Sequence, residues 1–346
     1  MVKWLPRRHF CLVALALAPA TTLLARDLDR FDFSLRFPAA ISRFASYADV
    51  AALGNAQAAS EWSSSNNPAS AAWPHASLKY SNSLAPQFTT LRFREGTNLY
   101  VFAEALTLNM ADYGVLLPAA AQIRSNHERD SDGLGFQFDA DYFQLQWGKL
   151  LGKGWAVGAN FNVTPSDTRF DLDGTRIARS RGESYDFRLG ALHQLSRDLR
   201  AGLIFDYGFA PARSDLLVLS ALGVTSLRTE DTTHQVLLRP GITWEYAKGC
   251  TLNLDYQAGV FINSTGTLWV HRFPIGIEHS LIKDILFVRG GVTIDTRGEV
   301  PLTTGLGLAL SNRASVDVAY QYNMFPEIRR EFGSAHTFVV SVGVAF

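Results

Sequence analysis

Four arginines are the side chains of this sequence best suited to bind an anionic group. Each falls on the polar side of a segment in which apolar and polar residues alternate. A guanidinium presents paired N–H donors that match the two oxygens of a carboxylate, so these side chains are candidates for binding a carboxylate head group. Acidic residues such as Asp186 and Asp206 share that face, and pairing with them is the alternative that we prefer. The four are Arg188, Arg239, Arg272 and Arg289.

The histidines do not form a catalytic pattern. His127, His234, His271 and His336 show no spacing that selects a triad with serine or acidic partners. The sequence has no metal-ligand cluster, phosphate-binding glycine loop or nucleotide motif. A formal net charge of zero gives no electrostatic case for binding nucleic acid. We therefore expect no enzymatic activity, no cofactor and no metal site.

The carboxyl-terminal residues predict a β-strand with one apolar face. Phe338, Val340, Val342, Val344 and Phe346 alternate with small or polar residues. Side chains of successive strand residues point to opposite faces, so this segment places one face in hydrocarbon and the other toward a polar interior. A closing strand that ends on an aromatic residue is typical of bacterial outer-membrane barrels, and we expect the barrel-assembly machinery to recognise it.

Similar alternating segments recur from about residue 87 onward. Counted back from Phe346, five short turns fall on one side, and the longer polar stretches 166–182, 210–231 and 325–334 fall on the other. This asymmetry is typical of outer-membrane barrels. We predict an all-β fold, a transmembrane outer-membrane β-barrel of about 14 antiparallel strands. The short turns are at residues 312–313, 283–284, 248–249, 196–198 and 152–154.

The amino terminus predicts export. Lys3, Arg7 and Arg8 precede an apolar run from Phe10 to Ala20, followed by small residues suited to signal cleavage. We assign residues 1–25 to a signal peptide. The run has about half of the ~20 apolar residues that a membrane-spanning helix needs. Charged residues are 18% of the chain, below the roughly 25% of soluble domains, as expected if much of the surface faces lipid.

Residues 26–74 lack strand alternation and carry a family signal. A possible helix spans residues 39–52, Gly54 follows it, and Asn67-Pro68-Ala69 comes later. The segment resembles the amino-terminal hatch of the long-chain fatty-acid transporter (FadL) family, in which a glycine- and alanine-rich segment with an Asn-Pro-Ala sequence plugs a fourteen-stranded barrel. The resemblance implies a plug over 26–74 and a barrel over 75–346. Ser70 stands where the family usually has glycine.

Further residues are candidates for contact with a greasy ligand. Tyr100, Phe102, Leu106 and Leu108 share one face of a strand, and the opposite face is also apolar, so either face can point inward. Such a patch suits an apolar ligand or contacts the hatch. Pro118 interrupts the predicted third strand, because proline cannot donate a ladder hydrogen bond. It marks a side opening or, as we prefer, a bent strand.

A second irregularity lies between Leu134 and Trp147. The apolar residues change phase between Tyr142 and Phe143, which predicts a β-bulge.

The resemblance implies passive uptake of hydrophobic compounds, such as long-chain fatty acids or aromatic hydrocarbons, across the outer membrane. The expected partners are outer-membrane lipid, the barrel-assembly machinery and a hydrophobic small molecule. Two alternatives remain open at this point. One is a general porin-like or structural barrel, including one that docks other proteins, and the other is a barrel enzyme.

Overall fold

The computed structural model describes most of the chain from residue 33 onward. The predicted signal peptide, residues 1–25, lies outside the described residues. The described ranges are 33–42, 48–59, 67–73, 83–93, 96–126, 133–220, 223–283, 285–296, 300–311 and 313–346.

Fourteen antiparallel strands form one closed barrel, which confirms the predicted β-barrel and its strand number. Each strand pairs with its neighbours in the sequence, and the last pairs with the first, from Ser83↔Ala345 to Phe93↔Ala335. Closure satisfies both edges of every strand, so no edge is left unpaired. The strands are β1 Ser83–Phe93, β2 Asn98–Asn109, β3 Val115–Ser125, β4 Leu134–Gly152, β5 Trp155–Leu172, β6 Thr175–Gln194, β7 Leu199–Ser220, β8 Gly223–Ala247, β9 Cys250–Asp255 with Gln257–Asn263, β10 Gly266–Ile282, β11 Leu286–Asp295, β12 Leu302–Ser311, β13 Ala314–Tyr322 and β14 Ala335–Ala345.

The amino-terminal residues form short helical pieces rather than strands. The predicted helix over 39–52 is instead two helices, α1 Phe33–Ile41 and α2 Ala48–Ala52. A 3-10 turn spans Pro68–Ala72 and begins at the N-cap Asn67, whose side chain accepts from the Ala69 N–H. No helix among the described residues is long and apolar enough to cross a membrane. Further short pieces are the 3-10 turns Ala111–Tyr113 and Pro326–Ile328 and helix α3 Arg329–Phe332.

The strands that flank the five predicted short turns are consecutive in the chain and meet at one end of the barrel, as expected, although residues 284 and 312 of these turns lie outside the described residues. Two of the predicted outer loops are mostly strand and not loop. Residues 166–182 and 210–231 largely continue the strands, with pairs such as Asp167↔Arg181 and Arg213↔Glu230. Asp173 and Gly174, with φ of 48° and 83°, form the two-residue hairpin turn between β5 and β6. Cross-strand pairs of opposite charge support these extensions, a contribution the alternation pattern does not show.

The predicted bulge between Tyr142 and Phe143 is wrong. The β4–β5 ladder keeps one register across this point, with Ala140↔Ser166 and Phe143↔Val163. The inward side chains of β4 change from Phe136 and Phe138 to polar residues further along the strand, so the apolar phase changes while the backbone stays regular. The side chains that β4 directs into the lumen are therefore apolar in one part of the strand and polar in the other.

The prolines mark real interruptions. Tyr256, at the break in β9, is opposite Pro240, and its N–H donates to the Pro240 carbonyl at 3.0 Å. Near Pro118, the β2–β3 pairs run from Ala105↔Ala119 to Leu108↔Leu116 in constant register, with no ladder pair between them. Pro118 therefore lies at a short break in the β2–β3 ladder.

The outer surface is an apolar belt. Along β14, Phe338 is 51% exposed and Val344 is 44% exposed, while Thr337 and Val339, on either side of Phe338, are buried. The alternation predicted for this strand is therefore confirmed. Charged and amide side chains of the described strands point mostly inward at this level, as a barrel in hydrocarbon requires.

An arginine on this belt should destabilise the barrel according to its depth. Leu306 lies in the middle of β12 and Leu310 lies near its end at the short turns, and both point outward, 54% and 62% exposed. We expect Leu306→Arg to cost about 2–4 kcal/mol and Leu310→Arg about 0–1 kcal/mol. Urea unfolding in liposomes measures both. Equal costs would mean that the belt does not lie across the membrane as described.

The extended β5–β6 hairpin should depend on Asp167. Hydrogen bonds from Arg179 and Arg169, at 2.9 and 2.7 Å, hold the pKa of this carboxyl below its usual value. A lowered folded-state pKa contributes stability above the unfolded value of about 3.9, and this stability is lost as the pH falls through the folded value. Asp167→Asn should therefore reduce amide hydrogen-exchange protection of residues 166–182 at pH 7, and the difference from wild type should shrink at the lowest pH. A difference that does not change with pH would contradict this account.

Candidate functional site

The lumen at the end of the short turns is strongly polar. Arg289 is bonded to Glu278, at 2.6 Å, and to Asp317. Toward the opposite end of the lumen, Arg272 contacts Glu327 at 2.8 Å and Asp295 at 3.6 Å, and all three are buried. Because a buried charge is costly unless it is paired, these clusters satisfy one another inside the barrel.

The four arginines singled out in the sequence all lie on the lumen face. Arg188 donates from Nε and Nη2 to one oxygen of Asp206, at 2.9 and 2.7 Å. Arg239 donates to the Gln257 side chain and, at 3.5 Å, to the Asn55 carbonyl. With Arg272 and Arg289 also ion-paired, the described contacts of these arginines are to the protein itself. Their predicted role in binding a ligand carboxylate is not tested by these contacts and stays a prediction.

The described amino-terminal residues are hydrogen-bonded to lumen side chains through their backbone. Asp255 accepts from the N–H groups of Gln57 and Ala58 at 2.7 and 2.9 Å. Arg200 donates to the Ala59 carbonyl at 2.7 Å, and Arg272 donates to the Ala39 carbonyl at 2.9 Å. These bonds satisfy irregular backbone that would otherwise be buried without partners.

The four hatch-motif residues are in this contact region. Gly54 has φ +64°, donates to Thr303 Oγ1 at 2.9 Å and accepts from Thr293 Oγ1 at 2.7 Å. Asn67 is fully buried, and its side-chain amide donates to the Ala191 carbonyl at 3.2 Å. Pro68 and Ala69 begin the 3-10 turn against β4, β5 and β6. The structure thus brings the motif against the barrel wall near the short turns.

A ring of glycines makes room for this backbone, and sequence reasoning missed it. A Cβ added to any of them would lie closer than 3.0 Å to another atom, in most cases one of the amino-terminal residues between Ala52 and Pro68. The sequence pattern that could have revealed the ring is a glycine at an inward-facing position of successive strands. The ring consists of Gly148, Gly158, Gly190, Gly202, Gly241, Gly276, Gly291 and Gly305.

Toward the long hairpins the lumen is apolar and encloses a cavity of about 320 Å³. Phenylalanines from α1, from the strands and from the segment after β13 surround it, for example Phe136 and Phe332 with ring centroids 4.8 Å apart. Apolar enclosure of this kind is typical of sites for hydrophobic small molecules. Its apolar lining includes Phe37, Leu91, Leu99, Val101, Phe136 and Phe138.

One end of the cavity is polar. Asp186, Arg188, Asp206 and Gln235 line it together with Asn162. Gln235 Nε2 donates to Asp186 at 2.6 Å, and Arg188 is bonded to Asp206 as described above. The cavity is therefore mostly apolar with one hydrogen-bonding end.

An inward-folded segment closes the opposite end. Residues 326–332 pack on α1, where Arg36 donates to Glu331 Oε2 and to the Glu327 carbonyl, both at 2.9 Å. The Glu327 carboxylate in turn accepts from Arg272. This polar link holds Phe332 and Ile328 over the cavity.

The predicted apolar patch lies on the other side of the wall. Tyr100 and Phe102 point outward and are 44% and 48% exposed. The alternate residues Leu99, Val101 and Ala105 line the cavity instead, so of the two apolar faces it is the second that points inward. Periodicity cannot separate two apolar faces, because lipid and a greasy cavity select the same residue types. Leu106 and Leu108, half-buried, continue the outward face, and Pro118 lies beside them.

Three of the histidines considered for catalysis point outward and contact tyrosine hydroxyls. Tyr256 and Tyr320 lie 2.8 Å from the Nδ1 atoms of His271 and His336, and Tyr207 lies 3.3 Å from that of His234. His127 lies outside the described residues. These contacts bring no serine or acidic partner to the three histidines, so the geometry gives no support to an enzyme.

Comparison with known proteins identifies the fold. No protein-family model matches the sequence, and no curated protein is significantly similar to it. Solved structures do match. The CymD monoaromatic hydrocarbon channel has a TM-score of 0.61 at 13% identity, covering 87% of this chain and 97% of that one.

Two further structures agree. The Ralstonia pickettii toluene transporter TbuX has a TM-score of 0.59 at 12% identity, covering 87% of this chain and 98% of that one. A Pseudomonas aeruginosa FadL homologue has a TM-score of 0.57 at 10% identity, covering 86% and 98%. The first is named a channel, the second a transporter and the third a FadL homologue, and none of the three is described as an enzyme. The chain therefore has the fourteen-stranded barrel fold of the FadL-type channels, as the sequence resemblance implied.

Proposed function

We propose that this protein is an outer-membrane channel for the passive uptake of hydrophobic compounds, such as long-chain fatty acids or aromatic hydrocarbons. The observation that carries the proposal is the mostly apolar cavity in the lumen of a barrel whose charged side chains are otherwise paired inside. A hydrophobic solute does not enter a water-filled pore readily, and an apolar cavity gives it a favourable site. CymD and TbuX, which share the fold, are a monoaromatic hydrocarbon channel and a toluene transporter.

The proposal includes residues 26–74 as a plug inside residues 75–346. Backbone hydrogen bonds to Asp255, Thr303 and Arg200, together with the glycine ring, support it. The expected partners are outer-membrane lipid around the apolar belt and the barrel-assembly machinery at the strand ending in Phe346. A signal peptide over residues 1–25 fits this location.

A general porin is less consistent with the same geometry. A porin interior is an open aqueous channel, whereas here Ala52, Leu53 and Ala58 lie against lumen glycines. A docking barrel for other proteins has no specific support among the described residues.

The plug can be tested with two adjacent glycines of β11. A side chain at Gly291 would meet Gly54 and Leu53, whereas Gly290 has no neighbour closer than 3.9 Å to its Cβ position. We expect Gly291→Val to displace the plug and raise single-channel conductance in planar bilayers, and Gly290→Val to leave conductance unchanged. The same conductance from both variants, at the wild-type level in folded protein, would contradict the plug.

Ligand binding can be tested with two adjacent residues of β2. Val101 lines the cavity and Phe102 points outward. We expect Val101→Asp to weaken binding of a hydrophobic ligand by about tenfold or more, because a buried carboxylate without a partner is costly beside an apolar molecule. Phe102→Ala should leave the Kd unchanged in equilibrium dialysis.

A milder variant guards against misfolding of Val101→Asp. Ala103→Leu fills part of the cavity without adding charge and should weaken binding in the same direction. Saturable uptake of small sugars or ions, with no saturable binding of any hydrophobic compound, would reject the proposal in favour of a general channel.

A further inference from the structure

The polar end of the cavity carries an unused hydrogen-bond acceptor. Both bonds from Arg188 go to Oδ2 of Asp206, and Oδ1 of Asp206 is buried without a hydrogen-bond partner among the described residues. Asp206 is 3% exposed and lines the cavity. A buried acceptor left without a donor is destabilising, so a donor on a bound molecule would gain free energy here.

A second unused acceptor lies at the same level. Asn162 is 2% exposed, lines the cavity, and its Oδ1 also lacks a partner among the described residues. Asn162 pairs across the ladder with Asp186, and Arg188 pairs with Asp206, so both acceptors belong to one patch spanning β5 to β7. What this patch lacks is a donor.

The charge of the patch points the same way. Two carboxylates, the half-buried Asp186 and the buried Asp206, face one guanidinium, Arg188, which is the one cation among the described residues that line the cavity. The net charge of these three side chains is therefore one negative charge. Glu104, at the exposed edge of the cavity lining, carries a further negative charge.

This arrangement opposes a bound carboxylate. To reach Arg188, an anionic head group would enter beside two carboxylates and would compete with Asp206 for its partner. Like charges at short distance in a buried site repel strongly, and an acid deprived of its arginine becomes an unpaired buried charge. An uncharged hydroxyl avoids both costs and supplies the missing donor.

We propose that the ligand of this cavity is a hydrophobic molecule bearing a neutral hydroxyl, such as an alkylphenol, whose O–H donates to Asp206 Oδ1. The apolar body lies among the phenylalanines and the hydroxyl faces the patch. The inference rests on the proposed function and narrows its substrate class: an ionised fatty acid is disfavoured, and a plain hydrocarbon lacks the matching group.

The test compares three probes of one skeleton with purified full-length protein at pH 7.5. The probes are 4-butylphenol, butylbenzene and 4-butylbenzoate, and equilibrium dialysis gives each Kd. Hydrophobic probes partition into detergent micelles, so the decisive quantity is the ratio of Kd between a variant and wild type for the same probe, in which the partition cancels.

The variant is Asp206→Asn. It keeps the shape of the side chain and leaves Arg188 balanced by Asp186, so the local charge becomes neutral. Hydrogen bonds to charged acceptors are the stronger ones, so we expect 4-butylphenol to bind about tenfold more weakly to the variant. Butylbenzene should change by less than about twofold, and 4-butylbenzoate should bind more tightly than it does to wild type.

The matched control is Asp317→Asn. The half-buried Asp317 also shares one arginine, Arg289, with a second carboxylate, the buried Glu278, but it does not line the cavity. The control should leave all three ratios near one. If both variants fold poorly, Asn162→Ala against Asn160→Ala repeats the comparison on one strand, since Asn160 faces the lumen outside the cavity lining.

The outcomes separate the two proposals. Equal variant-to-wild-type Kd ratios for 4-butylphenol and butylbenzene would overturn the hydroxyl assignment, because Asp206 would then accept from water and not from the ligand. The proposed uptake of hydrophobic compounds would stand. Tightest wild-type binding of 4-butylbenzoate would overturn it as well. No saturable binding of any probe would overturn both this inference and the proposed function.

Discussion

Closure of the antiparallel ladder is the constraint on which the rest of this structure depends. Because β1 pairs with β14 from Ser83↔Ala345 onward, every residue of the wall points either outward or into the lumen. Hydrocarbon around the barrel excludes charge from the outward face at mid-depth. Charged side chains of the spanning strands are therefore gathered inside, where each one has to find a partner at short range.

The lumen meets this requirement in two different ways along its length. Near the short turns, Arg289 is paired with barrel carboxylates, and Asp255 and Arg200 bind amino-terminal backbone. Toward the long hairpins, α1 and residues 326–332 cover an apolar space instead. The amino-terminal residues and the apolar cavity thus occupy different levels of the same closed lumen.

Arg188 and Asp206 lie at the boundary between these two regions. There the polar lumen ends with an acceptor that has no donor among the described residues, and the apolar cavity begins. A ligand that is apolar along its body and donates one hydrogen bond at its end matches both sides of this boundary. The fold shared with hydrocarbon and toluene channels of 12–13% identity does not fix this detail, because lumen side chains vary without changing the ladder.

The sequence by itself determined the barrel. Alternation such as that of Phe338 to Phe346, the parity of short turns and the Asn67-Pro68-Ala69 motif are local signals, and the two-residue period of a strand makes them readable without a structure. The sequence did not determine which of two apolar faces of β2 points inward, why β4 changes phase or which partner each lumen arginine has. Tertiary structure alone decided these, because lipid and an apolar cavity favour the same residues, and because cross-barrel contacts such as Arg272 with Glu327 join positions far apart in the chain.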